Sequence, residues 1–349
     1  MKNSEKNRIT LDGIIDLNII PKDKKISIAS LTALSNKMYK NGVINYMMPQ
    51  ITPKVVSDSQ LTLLESLDSK ITNTQLLQSI SGIDNEKLTE IASLENRVLA
   101  IYIESDSDKN LLKRVFEYAQ MKNKPIICKI QNRVIDGDGV IFDNINSFYL
   151  GLPTRDRLSE RVEVVSVIEM VKYFNVPTLL QGVTDIKTLE MIDLAKKSGV
   201  NILVEISIHH LIFDDSIYYQ FDNYSKIDPP LQSKEGKEKL LEFLKVGKID
   251  MLTSLHHKIS ESDKSGSFKE SEYGVTGLDS ILSIYYTELI QKDYLSFDEL
   301  SKLISKNQAK FLGIDSPKKI VFDISKDTKI TEMHSLYFGK VFNGKVEVI

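Results

Sequence analysis

Histidine is absent from the first 208 residues of this 349-residue chain. The five that follow are His209, His210, His256, His257 and His334. Sites in which paired histidines hold a catalytic metal are therefore excluded from more than half of the sequence.

Cysteine is almost absent as well. Cys128 stands alone, which excludes an internal disulfide bond and a zinc site built on several cysteines. It lies in the apolar run Pro125–Cys128, and this favours a buried packing role over a catalytic thiol.

Long apolar runs and an excess of one charge are also missing. No run approaches the roughly 20 apolar residues that a membrane span needs, and the polar start Met1–Arg8 does not resemble a secretory signal. The 45 basic and 48 acidic residues give a net charge of −3, so nothing indicates binding to nucleic acid or to an anionic membrane. We expect a cytoplasmic protein.

Short apolar runs alternate with amphipathic helical patterns along most of the chain. The predicted strands are Gly13–Ile19, Val43–Met48, Leu76–Ser81, Val98–Glu104, Pro125–Ile130, Thr178–Val183, Ile202–Ile208 and Met251–Leu255. The clearest predicted helices are Asp108–Met121, Ser159–Phe174, Asp185–Ser198 and Lys234–Val246. Strands that read as continuous apolar runs are typical of parallel sheets covered on both faces. Eight such units predict an α/β fold, a (β/α)₈ barrel of the TIM type.

The C-terminal region has a different pattern. Ile320–Asp323 and Lys340–Ile349 alternate in hydrophobicity, and Asn343-Gly344 is a typical hairpin turn. We therefore divide the chain into a frayed tail (1–9), a barrel (10–315) and a small, truncated β subdomain (316–349).

Several motifs occur in a specific order. They are Asp228-Pro-Pro-Leu231, Ile249–His256, Asp263-Lys264 with Phe268-Lys-Glu270, Tyr273–Leu278 and Ile304–Ile314. This series resembles the C-terminal barrel half of dihydroorotases, within the amidohydrolase group that includes hydantoinases and allantoinases. Gly13-Ile-Ile-Asp16 and Met48-Pro49 are similar to earlier family motifs. The resemblance covers essentially residues 10 to 349.

The resemblance implies a zinc-dependent hydrolase of cyclic amides, with ligands at the C-terminal ends of barrel strands. The ligand positions, however, carry other residues. Asn18 and Ile20 replace the two histidines of the first strand, Lys129 and Gly182 replace histidines of the fifth and sixth strands, and Leu255 replaces the aspartate of the eighth. Asp16 remains. Because neither isoleucine, leucine nor glycine offers a ligand atom, we predict that the zinc site and its proton-shuttling carboxylate are lost.

Positions that contact substrate in the family are altered too. Lys22 and Gln50 match an arginine and an asparagine, Gln232 matches an arginine, and Ile259 matches a histidine. The fourth-strand ligand position within Glu104–Asp108 cannot be assigned.

The remaining polar residues leave alternatives open. His209, His256 and His257 follow neighbouring strands and could form a rebuilt zinc site, although structural histidines are the preferred interpretation. His256 lies beside the family's active site. Asp12, Asp16 and Lys129 could form an ion pair in place of the metal.

The sequence therefore predicts a catalytically inactive dihydroorotase homologue without a metal cofactor. As the resemblance implies, it would act as a structural or regulatory partner of aspartate carbamoyltransferase in pyrimidine biosynthesis, or as a homo-oligomer. The alternatives are an active dihydroorotase-like hydrolase with a degenerate site and a small-molecule sensor.

Overall fold

The structure of the protein is a computed structural model that describes residues 7–21, 26–94 and 96–347. Its strands, in chain order, are β1 (Arg8–Asp12), β2 (Ile14–Asp16), β3 (Val43–Tyr46), β4 (Gln75–Leu76), β5 (Ser79–Ser81), β6 (Ile83–Asp84), β7 (Lys87–Leu88), β8 (Ala100–Glu104), β9 (Ile126–Lys129), β10 (Ile141–Phe142), β11 (Thr154–Arg155), β12 (Thr178–Gln181), β13 (Ile202–Ser207), β14 (Met251–Thr253), β15 (Lys319–Lys329) and β16 (Val341–Glu347).

The helices alternate with these strands. They are α1 (Ile28–Lys40), α2 (Asp58–Asp68), α3 (Ile91–Leu94), α4 (Lys109–Lys122), α5 (Arg133–Asp136), α6 (Ile145–Leu150), α7 (Leu158–Phe174), α8 (Ile186–Lys197), α9 (Ile208–Ile212), α10 (Lys234–Lys245), α11 (Ile281–Tyr285), α12 (Phe297–Ser301) and α13 (Asn307–Leu312). The four helices predicted most clearly begin and end within one or two residues of their expected limits, and polar side chains cap the starts of α4, α8 and α10. Asp108, for example, accepts the N–H groups of Asn110 and Leu111 at the start of α4.

The parallel strands form the predicted (β/α)₈ barrel. One sheet has the order β14-β13-β12-β9-β8-β5 and the other β2-β3-β4. The third barrel strand is broken, so that Gln75–Leu76 pairs with β3 and Ser79–Ser81 pairs with β8. This break joins the two sheets at one side, and the ends of β2 and β14 approach each other at the other.

The seam between the first and last strands is held by few bonds. The Ile20 N–H donates to the His256 carbonyl at 2.8 Å, and the Asp16 carboxylate accepts bonds from the Ser254 N–H at 2.9 Å and from the Thr253 hydroxyl at 2.7 Å. The Asp16 side chain thus links the first barrel strand to the last.

Two apolar clusters lie on opposite faces of the barrel strands. The larger packs the strands against the surrounding helices. The smaller, which includes Ile15, Met47, Tyr102 and Leu179, lies on the face that carries Gln181 at the strand end. Burial on both faces accounts for the continuous apolar runs in the sequence.

The small β subdomain corrects two predictions. β1 pairs antiparallel with β15, so Arg8 and Ile9 belong to a strand, and the predicted tail 1–9 is wrong there. Met1–Lys6 lie outside the described residues. The subdomain therefore takes one strand from the N-terminal end of the described chain and two strands from its C-terminal end.

Asn343-Gly344 is not a turn. β15 and β16 pair antiparallel, with Asn343 opposite Asp327, and residues 330–340 make the connection. A Cβ at position 344 would lie 2.0 Å from the Phe322 ring. Glycine is thus needed at this position for close packing beneath an aromatic ring.

Within the described ranges, no helix has the length and apolarity that crossing a membrane requires.

Candidate functional site

A cavity of about 220 Å³ opens at the C-terminal ends of the barrel strands. This is the end at which barrel enzymes place their sites. Its lining combines polar and apolar side chains at or after the ends of five barrel strands (β2, β3, β9, β12 and β14) with side chains from the loops after α9 and β14. The lining residues are Asn18, Ile20, Gln50, Lys129, Gln181, Gly182, Ile227, Asp228, Leu255, His257, Glu272, Tyr273, Gly274 and Val275.

The structure brings most of the predicted former-site positions together in this cavity: Asn18, Ile20, Gln50, Lys129, Gly182 and Leu255 all line it. Ile259 is half-buried beside Gly274 and is not among the lining residues. Lys22 lies outside the described residues, so its predicted role remains a prediction.

Lys129 forms an ion pair that differs from the one we expected. Its ammonium lies 2.9 Å from the Asp228 carboxylate, whose other oxygen accepts a bond from Arg155 at 2.8 Å. Asp12 instead pairs with Lys319 at 2.6 Å. The predicted pairing of Lys129 with Asp12 or Asp16 is therefore wrong. Although burial opposes ionisation, Lys129 and Arg155 together hold the pKa of Asp228 well below its usual range.

A second buried carboxyl lies beneath the cavity. Glu205 accepts hydrogen bonds from the Gln181 amide at 3.0 Å and from the Asn18 amide at 3.4 Å. Gln50 in turn donates to the Asn18 side-chain oxygen at 3.0 Å. Burial, and then the nearby Asp16 carboxylate, raise the pKa of Glu205 well above its ordinary value.

Ile20, Leu255 and Gly182 offer no polar side chain to the cavity. Ile20 forms a backbone bridge with His257, and Leu255 has a left-handed backbone with a φ of 45°. Gly182 offers no side chain. Where the resemblance places metal ligands and a general base, these residues offer apolar surface or backbone only.

His209 and His210 are buried structural histidines, as the preferred interpretation predicted. Their Nε2 atoms lie 2.9 Å from the carbonyl oxygens of Ser254 and Pro229, respectively. A carbonyl can only accept, so Nε2 carries the proton and Nδ1 is the acceptor. The Tyr337 hydroxyl bonds to Nδ1 of His209 at 2.9 Å, and the Ser207 hydroxyl to Nδ1 of His210 at 2.7 Å. The pKa of His209 is lowered to about 3 and that of His210 to about 4, mainly because both rings are buried.

His256 is also a buried histidine whose Nδ1 atom accepts a hydrogen bond. Its Nδ1 accepts the Gly277 N–H at 3.2 Å, which leaves the proton of the neutral ring on Nε2. Burial, followed by the charge of Lys37, lowers its pKa well below the usual value. His257 lines the cavity, and burial, followed by Lys264 and Lys129, lowers its pKa to about 4.

The potential metal-ligand atoms around the cavity do not fit a zinc ion. The acceptor nitrogens of His209 and His256 are already hydrogen-bonded, so the alternative site of His209, His256 and His257 would have to break both bonds to form. Among the described residues, no three His, Cys, Asp or Glu side chains are grouped so that they could hold a metal ion. The ammonium of Lys129 would repel a cation at the position where the resemblance expects a ligand.

The unassigned Glu104–Asp108 segment has a structural role. Arg133 donates to Glu104 at 2.6 Å and to Asp106 at 2.8 Å. This pairing turns both carboxylates toward α5.

The sequence analysis identified neither Arg155 nor Glu205 as a site residue. Glu205 interrupts the apolar run of β13 at a position that alternates onto the cavity side, and this was an available signal. Arg155 lies on a two-residue strand, where no pattern distinguishes it.

The His209–Tyr337 bond links the barrel to the β subdomain and gives a first prediction. We expect Tyr337→Phe to lower the free energy of unfolding by about 1–2 kcal/mol, since it leaves a buried histidine nitrogen without a donor. Urea denaturation measures this change. Tyr149→Phe, which removes an exposed hydroxyl, is the control. Equal midpoints for the wild type and Tyr337→Phe would show that the bond contributes nothing.

Comparisons with known proteins agree with the barrel. No model of a known protein family matches the chain. The L-hydantoinase of Arthrobacter aurescens is similar with a TM-score of 0.83 at 16% identity, over 97% of this chain and 83% of that one. An inactive dihydroorotase-like domain of a CAD-like multifunctional protein from Chaetomium thermophilum has a TM-score of 0.71 at 15% identity, over 97% of this chain and 91% of that one. These similarities confirm the fold.

Sequence relatives define the family. The chain is 28% identical over 280 residues to the dihydroorotase of Thermoanaerobacter sp. (strain X514), which covers 78% of this chain and 65% of the relative. It is 31% identical over 283 residues to a probable dihydroorotase-like protein of Helicobacter pylori (strain J99), which covers 78% of this chain and 72% of the relative. With this degree of identity and coverage, the chain belongs to the dihydroorotase-like family of the amidohydrolase superfamily.

Proposed function

We propose that this chain is a non-catalytic member of its family and acts as a structural or regulatory partner of aspartate carbamoyltransferase in pyrimidine biosynthesis. One observation carries the first half of the proposal. The ammonium of Lys129, paired with Asp228, lies in the cavity where a zinc-dependent hydrolase would need metal ligands.

The acid–base chemistry of the cavity supports the same proposal. General acid–base catalysis works best when the pKa of the group lies near the operating pH. Asp228 has a lowered pKa and is a weak base. His257, with a pKa of about 4, is also a weak base. Neither group suits the activation of water near neutral pH.

The partner role has a separate basis. The structurally similar Chaetomium domain is described as inactive and belongs to a multifunctional protein. A barrel of this fold can thus be kept within a larger assembly after activity is lost, which supports the proposed association.

Metal content and turnover test the loss of catalysis. We expect protein purified without chelator to contain substoichiometric zinc and to leave dihydroorotate unchanged, because the strand ends supply no ligand set. Elemental analysis and a dihydroorotate assay measure both, with an active dihydroorotase prepared in parallel as the control. Stoichiometric zinc together with dihydroorotate turnover would support the alternative of an active hydrolase.

Co-expression tests the partner. Size-exclusion chromatography of the chain with aspartate carbamoyltransferase from the same organism should give one complex that contains both proteins. Separate elution of the two proteins would reject the proposed partner and leave the loss of catalysis untouched.

A small-molecule sensor is the second candidate. Gln181 lines the cavity, and its buried side-chain oxygen has no hydrogen-bond partner, so a ligand N–H could bind there. A thermal-shift screen with pyrimidine intermediates would reveal such a ligand.

A further inference from the structure

Two segments beside the cavity, residues 222–228 and 263–275, are bonded to each other, and we call the two together the clasp. Six of the fourteen residues that line the cavity belong to it: Ile227, Asp228, Glu272, Tyr273, Gly274 and Val275. The clasp therefore forms one wall of the cavity.

Lys264 is a buried lysine that joins the two segments. Its side chain is 4% exposed, and its ammonium donates to the backbone carbonyls of Asn223 at 2.8 Å and Glu272 at 2.7 Å. The Asn223 side-chain amide donates in the opposite direction, to the carbonyls of Lys264 at 2.8 Å and Gly266 at 3.0 Å. Bonds in both directions thus connect the outer part of the clasp.

Lys226 joins the segments nearer to the cavity. It is 2% exposed, and its ammonium donates to the backbone carbonyls of Lys269 at 2.7 Å and Ser271 at 2.6 Å. Its own carbonyl accepts the Gly274 N–H at 2.9 Å. The two segments are therefore tied at both ends of their contact, and we expect them to move together.

The clasp also has an apolar cluster of its own. Ile227, Phe268 and Val275 pack with Tyr218, whose ring centroid lies 5.3 Å from that of Phe268. This cluster is separate from the two clusters on the faces of the barrel strands. A region with its own cluster and its own hydrogen bonds can open while the main core stays folded.

The two buried ammonium groups make opening less costly than the number of hydrogen bonds suggests. Burial, and then the charge of Lys226, lower the pKa of Lys264 to about 8. Burial is also the largest cause that lowers the pKa of Lys226. Neutral carbonyls replace only part of the hydration that each ammonium loses on burial. Opening returns both charges to water, so hydration offsets part of the loss of their hydrogen bonds.

We propose that the clasp is a lid, which moves away from the barrel as one unit and thereby admits a small molecule to the cavity. Asp228 anchors one end, because Lys129 and Arg155 both hold its carboxylate. The other end opens when the Tyr273 hydroxyl releases the Gly139 carbonyl, to which it donates at 3.0 Å. The lid goes beyond the proposed function and does not depend on the partner enzyme.

Hydrogen exchange followed by mass spectrometry tests whether the two segments open together. We expect them to share one protection factor in the full chain, lower than that of β9 and β12. Lys264→Met leaves the Asn223 and Glu272 carbonyls without a donor and should lower the protection of both segments on the order of 10-fold. Lys124→Met is the matched control, since it removes an ammonium that donates to the Val98 carbonyl at 2.8 Å, away from the clasp. It should leave the protection of both segments unchanged.

Asn223→Ala is a second variant, placed on the other segment, and it serves also if Lys264→Met does not fold. It should lower the protection of residues 263–275 as far as Gly274, which Asn223 does not contact. A wild-type clasp as protected as β9 and β12 would overturn the proposal. So would a loss of protection confined to the residues that each substitution touches.

Thiol labelling tests whether this opening exposes the cavity. Val275 lines the cavity and is 2% exposed, so Val275→Cys should react slowly with a positively charged methanethiosulfonate reagent. The wild type gives the background of the native Cys128, which is buried. Adding Lys264→Met should raise the labelling rate on the order of 10-fold, whereas adding Lys124→Met should not.

Two results of the labelling would reject the lid. Labelling of Val275→Cys at the rate of an unfolded control would show that the cavity is accessible without any opening. A rate that Lys264→Met fails to raise would show that loosening the clasp does not expose the cavity. Neither result bears on zinc content, turnover or partner binding, so the lid and the proposed function can fail separately.

Discussion

Asp228→Asn is expected to lower the free energy of unfolding by about 3 kcal/mol, because it leaves two half-buried cations without their shared carboxylate. Lys129 and Arg155 both contact Asp228 in the native structure. An asparagine of the same shape keeps the packing and removes only the charge. Chemical denaturation of the variant and the wild type at neutral pH measures the difference.

A double-mutant cycle separates the ion pair from other effects of this substitution. Lys129→Met removes one cation, and Arg155 then retains both Asp228 and Asp136, the latter at 3.7 Å. We therefore expect Lys129→Met/Asp228→Asn to be more stable than Asp228→Asn alone. If Asp228→Asn changes stability by less than about 0.5 kcal/mol, as surface substitutions do, the charge network is not a stabilising element.

Glu205→Gln should increase stability by an amount that grows with pH. Burial, and then Asp16, raise the pKa of Glu205 above the ordinary value of 4.5. A carboxyl with a raised pKa contributes stability that is fully present below its unfolded pKa and is lost as the pH rises through its folded pKa. Glutamine keeps the acceptor for Gln181 and Asn18 and does not titrate. The difference between Glu205→Gln and wild type should therefore grow by about 1.4 kcal/mol per pH unit above pH 4.5, up to the folded pKa.

Urea denaturation at a series of pH values from about 5 to about 8 tests this slope. Glu160→Gln provides a contrasting variant, because the Glu160 oxygens accept the N–H groups of Thr184 and Asp185. In Glu160→Gln, an amide NH₂ group replaces one carboxylate oxygen and faces a backbone N–H group, so two hydrogen-bond donors oppose each other. We therefore expect Glu160→Gln to be less stable than the wild type at the lowest pH of the series. A pH-independent difference for Glu205→Gln would mean that its carboxyl is ionised in the folded protein.

The barrel could be predicted from the sequence because its strands are buried on both faces and read as apolar runs. The break in the third strand could not, since Leu77-Gln78 has no residue that signals an interruption. Asn343-Gly344 was misleading because the same dipeptide favours a turn and also allows a ring to pack closely. Only the position of Phe322, 22 residues away, distinguishes the two cases.

The sequence predicted which residues lie together in the candidate site but not which of them form ion pairs. Asn18, Lys129 and Leu255 were assigned to strand ends from the sequence, and all three line one cavity. The strand ends of a parallel barrel converge at one end, so this proximity could be predicted. The ion-pair partner of Lys129, however, is set by a loop conformation, because Asp228 lies in the loop after α9. The sequence therefore identified residues that line the cavity and missed the Lys129–Asp228 pair.

The seam between the first and last strands has a consequence for synthesis. The bonds that Asp16 and Ile20 make across the seam lead to Ser254 and His256, more than 230 residues later in the chain. A nascent polypeptide on the ribosome cannot close its ring until that distant segment has left the exit tunnel. Until then, the growing sheet exposes unpaired edges, which are the surfaces that chaperones protect from aggregation.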